Sequence, residues 1–270
     1  MAIITISRGS YSKGKEVAEK VASRLGYRCI SREVLLDASE HFHIPEIKLV
    51  RAIHDAPSIL DRFSRSQQSF IAYIRCALVQ YVRDDNIVYH GLAGHLLLKG
   101  IPHVLKVRVI ADLADRIRAE MERERISEGE ARSLLLKDDE ERRQWTRTLY
   151  GSDPWDSSLY DLVVHIHKLT IEDAVDIICE TVVRSPFKST KQVQRKMEDY
   201  GMACSMKAAL SHTFDNVGVK SEYGNILVYA KGNDHHIQKI RKKAREIAGN
   251  LEGINDLEVH ATQKLPPESV

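Results

Sequence analysis

The 270-residue sequence lacks most features that mark secreted, disulfide-stabilised or membrane proteins. Its four cysteines (Cys29, Cys76, Cys179 and Cys204) lie far apart and form no C-x-x-C pair, so we expect reduced thiols and not disulfides or metal ligands. The N-terminus does not resemble a signal peptide, and no apolar run approaches the length that spans a membrane. A net charge of only +2 indicates no particular polyanionic partner, so nucleic acid is not expected. These absences together predict a cytoplasmic protein without a membrane span.

The N-terminal segment carries the most informative pattern in the chain. Residues 3–16 read IITISRGSYSKGKE, which is an apolar β-type run, a turn rich in glycine, serine and lysine, and the start of an amphipathic helix. Gly9, Gly14 and Lys15 fit the first seven positions of the phosphate-binding loop G-x-x-x-x-G-K-[ST]. Glu16 stands at the eighth position, where a hydroxyl would hold Mg²⁺.

Such a loop binds phosphate because its backbone N–H groups and the positive end of the following helix surround an anion. We therefore predict that nucleotide phosphates contact the whole turn, which consists of Arg8, Gly9, Ser10, Tyr11, Ser12, Lys13, Gly14, Lys15 and Glu16. The alternative is an ordinary strand-to-helix turn whose lysines are merely solvated.

Apolar periodicity predicts alternating strands and helices over residues 1–184. After the N-terminal strand and helix, we expect strands at 27–30, 86–90, 103–110 and 162–166, and helices at 32–41, 44–82, 112–125, 127–150 and 171–183. This alternation predicts the α/β class, with a parallel sheet sandwiched by helices. Ligands of such sheets lie at the carboxyl ends of the strands, where the N-terminal turn would also lie.

The remaining residues predict a small second domain of the α+β class. Residues 185–205 are expected to form a linker and helix, residues 206–264 the domain itself, and residues 265–270 a flexible tail. Within the domain, Gly224 and Asn225 give the turn signal of a β-hairpin. A basic helix at 235–251 and a strand at 256–261 follow the hairpin.

The first half of the chain resembles the cytidylate-kinase-like family, a divergent branch of the P-loop nucleoside monophosphate kinases. The stretch from Ile6 to Ala18 is similar to the family opening I-S-R…S-x-G-[RK]-E-[IV]-A, in which a glutamate after the basic residue is usual. The segment from Asp139 to Trp155 resembles the family's lid, and Tyr160 begins a motif similar to the entry of its last strand. Residues 207–263 resemble a BON-type module more loosely, and a small appendage for dimerisation or regulation is an equal alternative.

The resemblance implies a P-loop kinase-type sheet and ATP-dependent phosphoryl transfer, with Mg²⁺ as cofactor. Lys15, which would hold the donor phosphates, would be catalytic together with Arg116, Arg142 and Arg143, the last two on a mobile lid. For these arginines the alternative is a solvated face of charged helices. Glu16 would bind Mg²⁺, because a hard cation accepts a carboxylate ligand.

Three further residues are candidates for binding the acceptor. Arg32 follows the second strand and would hold the acceptor phosphate, and Arg75 would lie on the helix that covers the same site. Asp139 would orient Arg142 or bind an amino group of the acceptor base. An acceptor phosphate is already anionic at neutral pH, so no general base is required.

One departure from the family pattern leaves the function open. The third strand of the family reads close to V-I-x-G-R-x-A, whereas this chain has Gly91 at the arginine position. The sequence therefore predicts either a kinase acting on CMP or a related small phosphate ester, or a catalytically weak nucleotide sensor. In the second case the C-terminal domain would bind an unidentified ligand or partner. A homodimer is possible in both cases.

One histidine pair belongs to neither function. His165 and His167 project from the same face at the end of the fifth strand, a spacing that suits metal binding, but the sequence offers no third ligand.

Overall fold

A computed structural model describes residues 2–9, 13–45 and 64–270. Within these ranges the chain forms eight strands and nine helices. The strands are β1 (Ile3–Arg8), β2 (Arg28–Ile30), β3 (Ile87–Tyr89), β4 (Val104–Ala111), β5 (Leu162–Ile166), β6 (Val217–Glu222), β7 (Asn225–Ala230) and β8 (Asp256–Ala261). The helices are α1 (Gly14–Leu25), α2 (Glu33–His41), α3 (Ser64–Val82), α4 (Gly94–Leu97), α5 (Leu113–Glu124), α6 (Glu128–Tyr150), α7 (Ile171–Val182), α8 (Lys191–Ser211) and α9 (Asp234–Ala248).

The first five strands form one parallel sheet in the order β2-β3-β1-β4-β5. Ile3 of β1 pairs with Ile87 on one side and with Val104 on the other, so β1 is the central strand. The chain runs from β1 to β2 and β3 on one side and then crosses to β4 and β5 on the other, and the carboxyl ends of all five strands lie at one edge. The predicted class of a helix-covered parallel sheet is confirmed.

Alternating residues of β1 bury both faces of the sheet. Ile4 and Ile6 belong to a core that the apolar faces of α1 and α7 complete. Ile3 belongs to a second core on the opposite face, formed with α2, α3, α4 and α8. A strand buried on both sides reads as a continuous apolar run, and this is the pattern found at the N-terminus.

Most predicted elements lie within two residues of their observed bounds, and β5 and β8 have the predicted bounds. The expected helix at 44–82 is described only from Ser64 onwards, since residues 46–63 lie outside the described ranges. None of the described helices combines the length and apolar composition that crossing a membrane requires.

The C-terminal residues form a three-stranded sheet in the order β6-β7-β8, with β6 antiparallel and β8 parallel to β7. Helix α8 lies between this sheet and the first domain. Met197, Cys204 and Ala208 on one face of α8 are buried in the core that contains α3. Met206 and Leu210 on another face are buried against the C-terminal sheet. One helix therefore serves two cores.

The observed structure differs from the predicted domain limits at two places. The predicted boundary between residues 205 and 206 falls inside α8, because both faces of this helix are buried. The tail at 265–270, predicted to be flexible, lies beside β6: the backbone N–H of Val270 donates to the carbonyl of Val219 at 2.9 Å. β6 is an edge strand, and its unpaired backbone groups can bind an added segment.

The shared helix leads to a prediction about cooperativity. We expect Met197→Ala and Met206→Ala each to lower the free energy of unfolding by about 2 kcal/mol, because each removes a fully buried side chain. Both variants should shift one common transition in calorimetry. Two separate transitions, each moved by one variant only, would show that the halves unfold independently.

Candidate active site

Two clefts open at the carboxyl edge of the five-stranded sheet, one on each side of β1. The β3 cleft lies beside β2 and β3 and has a volume of about 320 Å³. The β5 cleft lies beside β4 and β5 and has a volume of about 660 Å³. Both volumes fall in the range of small-molecule sites in proteins.

Three arginines from three different elements line the β3 cleft. Arg8 ends β1, Arg32 immediately precedes α2, and Arg142 projects from α6. Their side chains bring positive charge from separate directions to one small space, which favours an anionic ligand. The structure thus brings together the predicted loop arginine, the predicted acceptor arginine and one predicted lid arginine.

His90, the residue after β3, also lines this cleft and is 9% exposed. Burial lowers its pKa, and the nearby charges of Arg8 and Lys15 lower the pKa further. The ring is therefore neutral at pH 7, and its Nδ1 has no hydrogen-bond partner among the described residues. A neutral imidazole here can donate or accept one hydrogen bond without adding charge.

Gly91 stands where the family pattern has an arginine, and any side chain at this position would collide with Tyr89. A Cβ at Gly91 would lie 2.2 Å from the hydroxyl of Tyr89. Tyr89 is 3% exposed, and its hydroxyl donates to the carbonyl of Leu92 at 3.2 Å, so the ring cannot easily move away. Because Gly91 carries no charge, the three arginines supply the positive charge of this cleft.

The β5 cleft is built from the residues that follow β1, β4 and β5. Lys13 and Glu16 lie on its β1 side, Arg116 is on α5, and His167 and Thr170 follow β5. Lys13 adopts the left-handed backbone region, with φ of 60°, immediately before α1. The cleft therefore combines cations with the start of a helix, which is the setting that phosphate groups favour.

Gly9, Arg116 and Asp139 lie together in a further small cleft beside the end of β4. A Cβ at Gly9 would lie 3.7 Å from Nη1 of Arg116, which is ordinary contact distance. Arg116 Nη2 lies 2.8 Å from Asp139 Oδ2, and the two side chains are 10% and 16% exposed. The structure places Asp139 against Arg116, and not in the β3 cleft where we expected an acceptor ligand.

The predicted loop residues have different surroundings. The ammonium of Lys15 lies 3.6 Å from the Glu19 carboxylate, and among the described residues it lines neither the β3 nor the β5 cleft. Glu16 lines the β5 cleft, with its carboxylate 3.8 Å from Lys20. Gly14 packs on Arg8, whose Cβ would lie 2.8 Å from an added Cβ.

Three other loop residues cannot be placed. Ser10, Tyr11 and Ser12, predicted to bind phosphate, lie outside the described residues.

Two predicted arginines lie elsewhere. Arg143 binds Asp153 through Nε and Nη2, at 3.1 and 2.8 Å, and its guanidinium stacks 4.0 Å above the ring of Trp155. Arg75 lies between α3 and α8, near Tyr200, because α8 covers the face of α3 that we assigned to the acceptor. Arg143 thus contacts residues of its own segment, and Arg75 does not line the β3 cleft.

The Tyr160 hydroxyl lies close to residues of β1, β4, α4 and the segment after α6. Its hydroxyl accepts a hydrogen bond from Arg108 at 3.2 Å and lies 3.0 Å from the carbonyl oxygen of Pro154. The same oxygen lies 3.3 Å from Nε2 of His95 and 3.4 Å from Oγ of Ser7. These contacts connect the segment that follows α6 to the end of β1.

Several residues of the two clefts were not singled out from the sequence. Ser31 and Thr170 line the clefts because they follow β2 and β5 at the carboxyl edge, and His167, considered from the sequence only as a metal ligand, lines the β5 cleft for the same reason. The rule that places ligands at this edge would have selected them, had it been applied to every strand and not only to β1.

Comparisons with known proteins agree with this geometry. A family model described as the cytidylate kinase-like family matches residues 3–168. The chain is 26% identical over 187 residues to a cytidylate kinase of Sulfolobus acidocaldarius, which covers 69% of this chain and 97% of that one. It is 30% identical over 123 residues to a cytidylate kinase of Methanosarcina acetivorans, which covers 45% of this chain and 63% of that one. The chain thus spans less than two thirds of the second relative.

A solved structure of an uncharacterized protein from Eubacterium ventriosum aligns with a TM-score of 0.52 and 22% identity. The alignment covers 68% of this chain and 100% of that one, and at this identity it shows a shared fold. The family match ends at residue 168, so the BON-like character of the C-terminal module stays a prediction.

Proposed function

The chain belongs to the cytidylate kinase-like family, and from this we propose that it transfers the γ-phosphoryl group of ATP to a nucleoside monophosphate, with CMP as the first candidate. The observation that carries the proposal is the convergence of Arg8, Arg32 and Arg142 on the β3 cleft. A phosphate monoester is close to a dianion at neutral pH, and guanidinium groups bind its oxygens in pairs.

The two clefts supply the two sides of such a transfer. The acceptor phosphate would lie in the β3 cleft and the donor nucleotide in the β5 cleft. Phosphoryl transfer needs attacking and leaving oxygens roughly in line, with positive charge around the transferred group. Arg116 beside Gly9 and Arg142 on the opposite wall would provide this charge from two sides.

Lys13 and Lys15 have different roles in this proposal. Lys13 lines the β5 cleft and would contact donor phosphates directly. Lys15, which we expected to do so, is 63% exposed beside Glu19 and would have to leave this carboxylate to reach them. Its catalytic role stays a prediction of the sequence.

The residues present fit a magnesium ion bound together with the nucleotide. Glu16 is a carboxylate on the wall of the β5 cleft, and a hard cation prefers oxygen ligands. Mg²⁺ there would neutralise charge on the donor phosphates. Glu16 would hold it with phosphate oxygens and water, since the loop lacks the usual hydroxyl at this position.

An assay of ADP release with a panel of nucleoside monophosphates tests the proposal. We expect turnover with at least one acceptor. Arg32→Ala should raise the KM for this acceptor at least about 10-fold, because a charge-assisted contact is lost. Arg28→Ala is the matched control: Arg28 is also at β2, but it stacks on Tyr81 at 4.9 Å outside the cleft.

Two outcomes would contradict the kinase proposal. Nucleotide binding without turnover on any acceptor would favour a nucleotide sensor that uses its C-terminal module for another ligand or partner. Equal KM values for the two arginine variants would remove Arg32 from the acceptor site.

The finer features of the C-terminal half are proposals as well. Its order of helix, hairpin, helix and strand agrees with a BON-like module. A ligand or partner of this module, a homodimer and a cytoplasmic location stay predictions.

A further inference from the structure

A cluster of two carboxylates and one imidazole lies where β5 ends and α5 begins. Nδ1 of His167 lies 2.9 Å from Asp112 Oδ2 and 3.7 Å from Asp115 Oδ2. One ligand atom from each of the three residues lies within 4.8 Å of the others. In a tetrahedral zinc site with bonds near 2.0 Å, ligand atoms are about 3.3 Å apart, so small side-chain rotations suffice.

Asp112 is the N-cap residue of α5 but does not cap the helix. An aspartate at this position normally accepts a backbone N–H from the first turn, and losing this bond costs about 1 kcal/mol. Here the carboxylate turns to the two histidines instead: Oδ1 lies 3.0 Å from Nε2 of His165, and Oδ2 faces His167. The Asp112 carboxylate is therefore oriented by the two histidines and not by the backbone N–H groups of α5.

The neighbours of the cluster hold its ligands in place. His165 and His167 stack with ring centroids 5.9 Å apart, so the two imidazoles present their nitrogens side by side. Asp115 is held on its other side by Arg118 through Oδ1, which lowers the pKa of this carboxyl and leaves Oδ2 towards His167. About half of each ligand side chain is exposed, so water can complete a coordination shell.

We propose that Asp112, Asp115 and His167 bind a divalent transition-metal ion of the Zn²⁺ type, and that His165 positions Asp112 for it. The imidazole nitrogen favours zinc and its neighbours in the series over Mg²⁺ and Ca²⁺, which prefer oxygen ligands alone. A hydrogen bond to the second oxygen of a ligating carboxylate is a common way to orient it. His167 thus gains two carboxylate co-ligands that the sequence did not reveal.

The bound ion would join the turn after β5 to the first turn of α5, which carries Arg116. Asp115 and His167 are also part of the wall of the β5 cleft, so the ion would lie at the rim of this cleft. Binding to the folded state alone raises its stability by mass action, and this gives a readout independent of any enzymatic activity.

Calorimetric titration of the chelator-treated full-length protein with ZnCl₂, without nucleotide, tests the site. We expect one equivalent to bind and the melting temperature to rise with zinc concentration. His167→Ala should weaken this binding more than 10-fold, and His165→Ala about 10-fold. The matched control is His260→Ala: this exposed histidine also contacts a carboxylate, Glu258 at 2.8 Å, and should change nothing.

The expected pattern would be overturned by any of three results. Binding that is equally tight in wild type and His167→Ala would place the zinc elsewhere, as would a loss in His260→Ala. No binding by the folded wild type would show that the cluster is only a set of ion pairs. Because nucleotide is absent throughout, none of these results depends on the proposed kinase activity.

Discussion

Arg142→Ala is expected to lower kcat for phosphoryl transfer about 100-fold, while the melting temperature stays that of the wild type. Arg142 lines the β3 cleft from α6 and would contact the transferred phosphoryl group, where the loss of one preorganised donor costs about two orders of magnitude. The measurement is a steady-state ADP-release assay at saturating donor and acceptor, combined with thermal unfolding.

Its neighbour on the same helix is the matched control. Arg143→Ala should keep most of the turnover and lower the melting temperature, because Arg143 binds Asp153 and stacks on Trp155 outside the cleft. The hydrogen bonds from Arg143 hold the pKa of the Asp153 carboxyl far below its ordinary range. Arg143 therefore stabilises the charged form of Asp153. If Arg143→Ala loses as much turnover as Arg142→Ala without a change in stability, the division of roles on this helix is wrong.

The free energy of unfolding should fall by about 3 kcal/mol between pH 6.5 and pH 4.5, in large part because of His95. Burial, together with the nearby charges of Arg108 and Lys106, lowers the pKa of His95 to about 3. The ordinary pKa of histidine is near 6.5. Between pH 6.5 and 4.5, His95 is therefore protonated in the unfolded chain and neutral in the folded protein. The stability that comes from keeping His95 neutral is therefore fully present above pH 6.5 and is lost as the pH falls towards 3.

The magnitude follows from linkage. Each pH unit between the unfolded and folded pKa values costs about 1.4 kcal/mol per group. His90 contributes in the same direction, since its pKa is also lowered by burial. Carboxyl groups with ordinary pKa values titrate mostly below this window, so the two histidines dominate it.

Chemical denaturation at several pH values measures the effect. His95→Gln should remove about 2 kcal/mol of the difference between pH 6.5 and 4.5, even if the variant is less stable at every pH. A wild-type slope that His95→Gln does not reduce would show that this ring is protonated in the folded protein.

The elements of the fold could be predicted from the sequence because their signals are local. β5 and β8 have the predicted bounds, and the capping of α6 by Ser127 and Glu130 agrees with the expected helix start. The strand and helix on either side of the N-terminal turn were also predictable, since their signals are contiguous in the chain, while phosphate binding by the turn stays a prediction.

The roles of adjacent side chains on helices could not be predicted in the same way. Arg142 and Arg143 look equivalent in the sequence, but the rotation of α6 decides which of them enters the cleft. This rotation depends on packing between α5 and α6, where Ile117 contacts Ala131 and Leu135. The partner of Asp139 depends on the same contact, so it became visible only with the tertiary structure.

The shared helix α8 also determines the order in which the protein can complete its cores during synthesis. Met197, Cys204 and Ala208 belong to the core around α3 but follow it by more than a hundred residues. A nascent chain that has released α3 from the ribosome therefore carries an apolar surface with nothing yet to cover it. Exposed surfaces of this kind are what chaperones bind. The first domain thus finishes folding only after α8 has emerged.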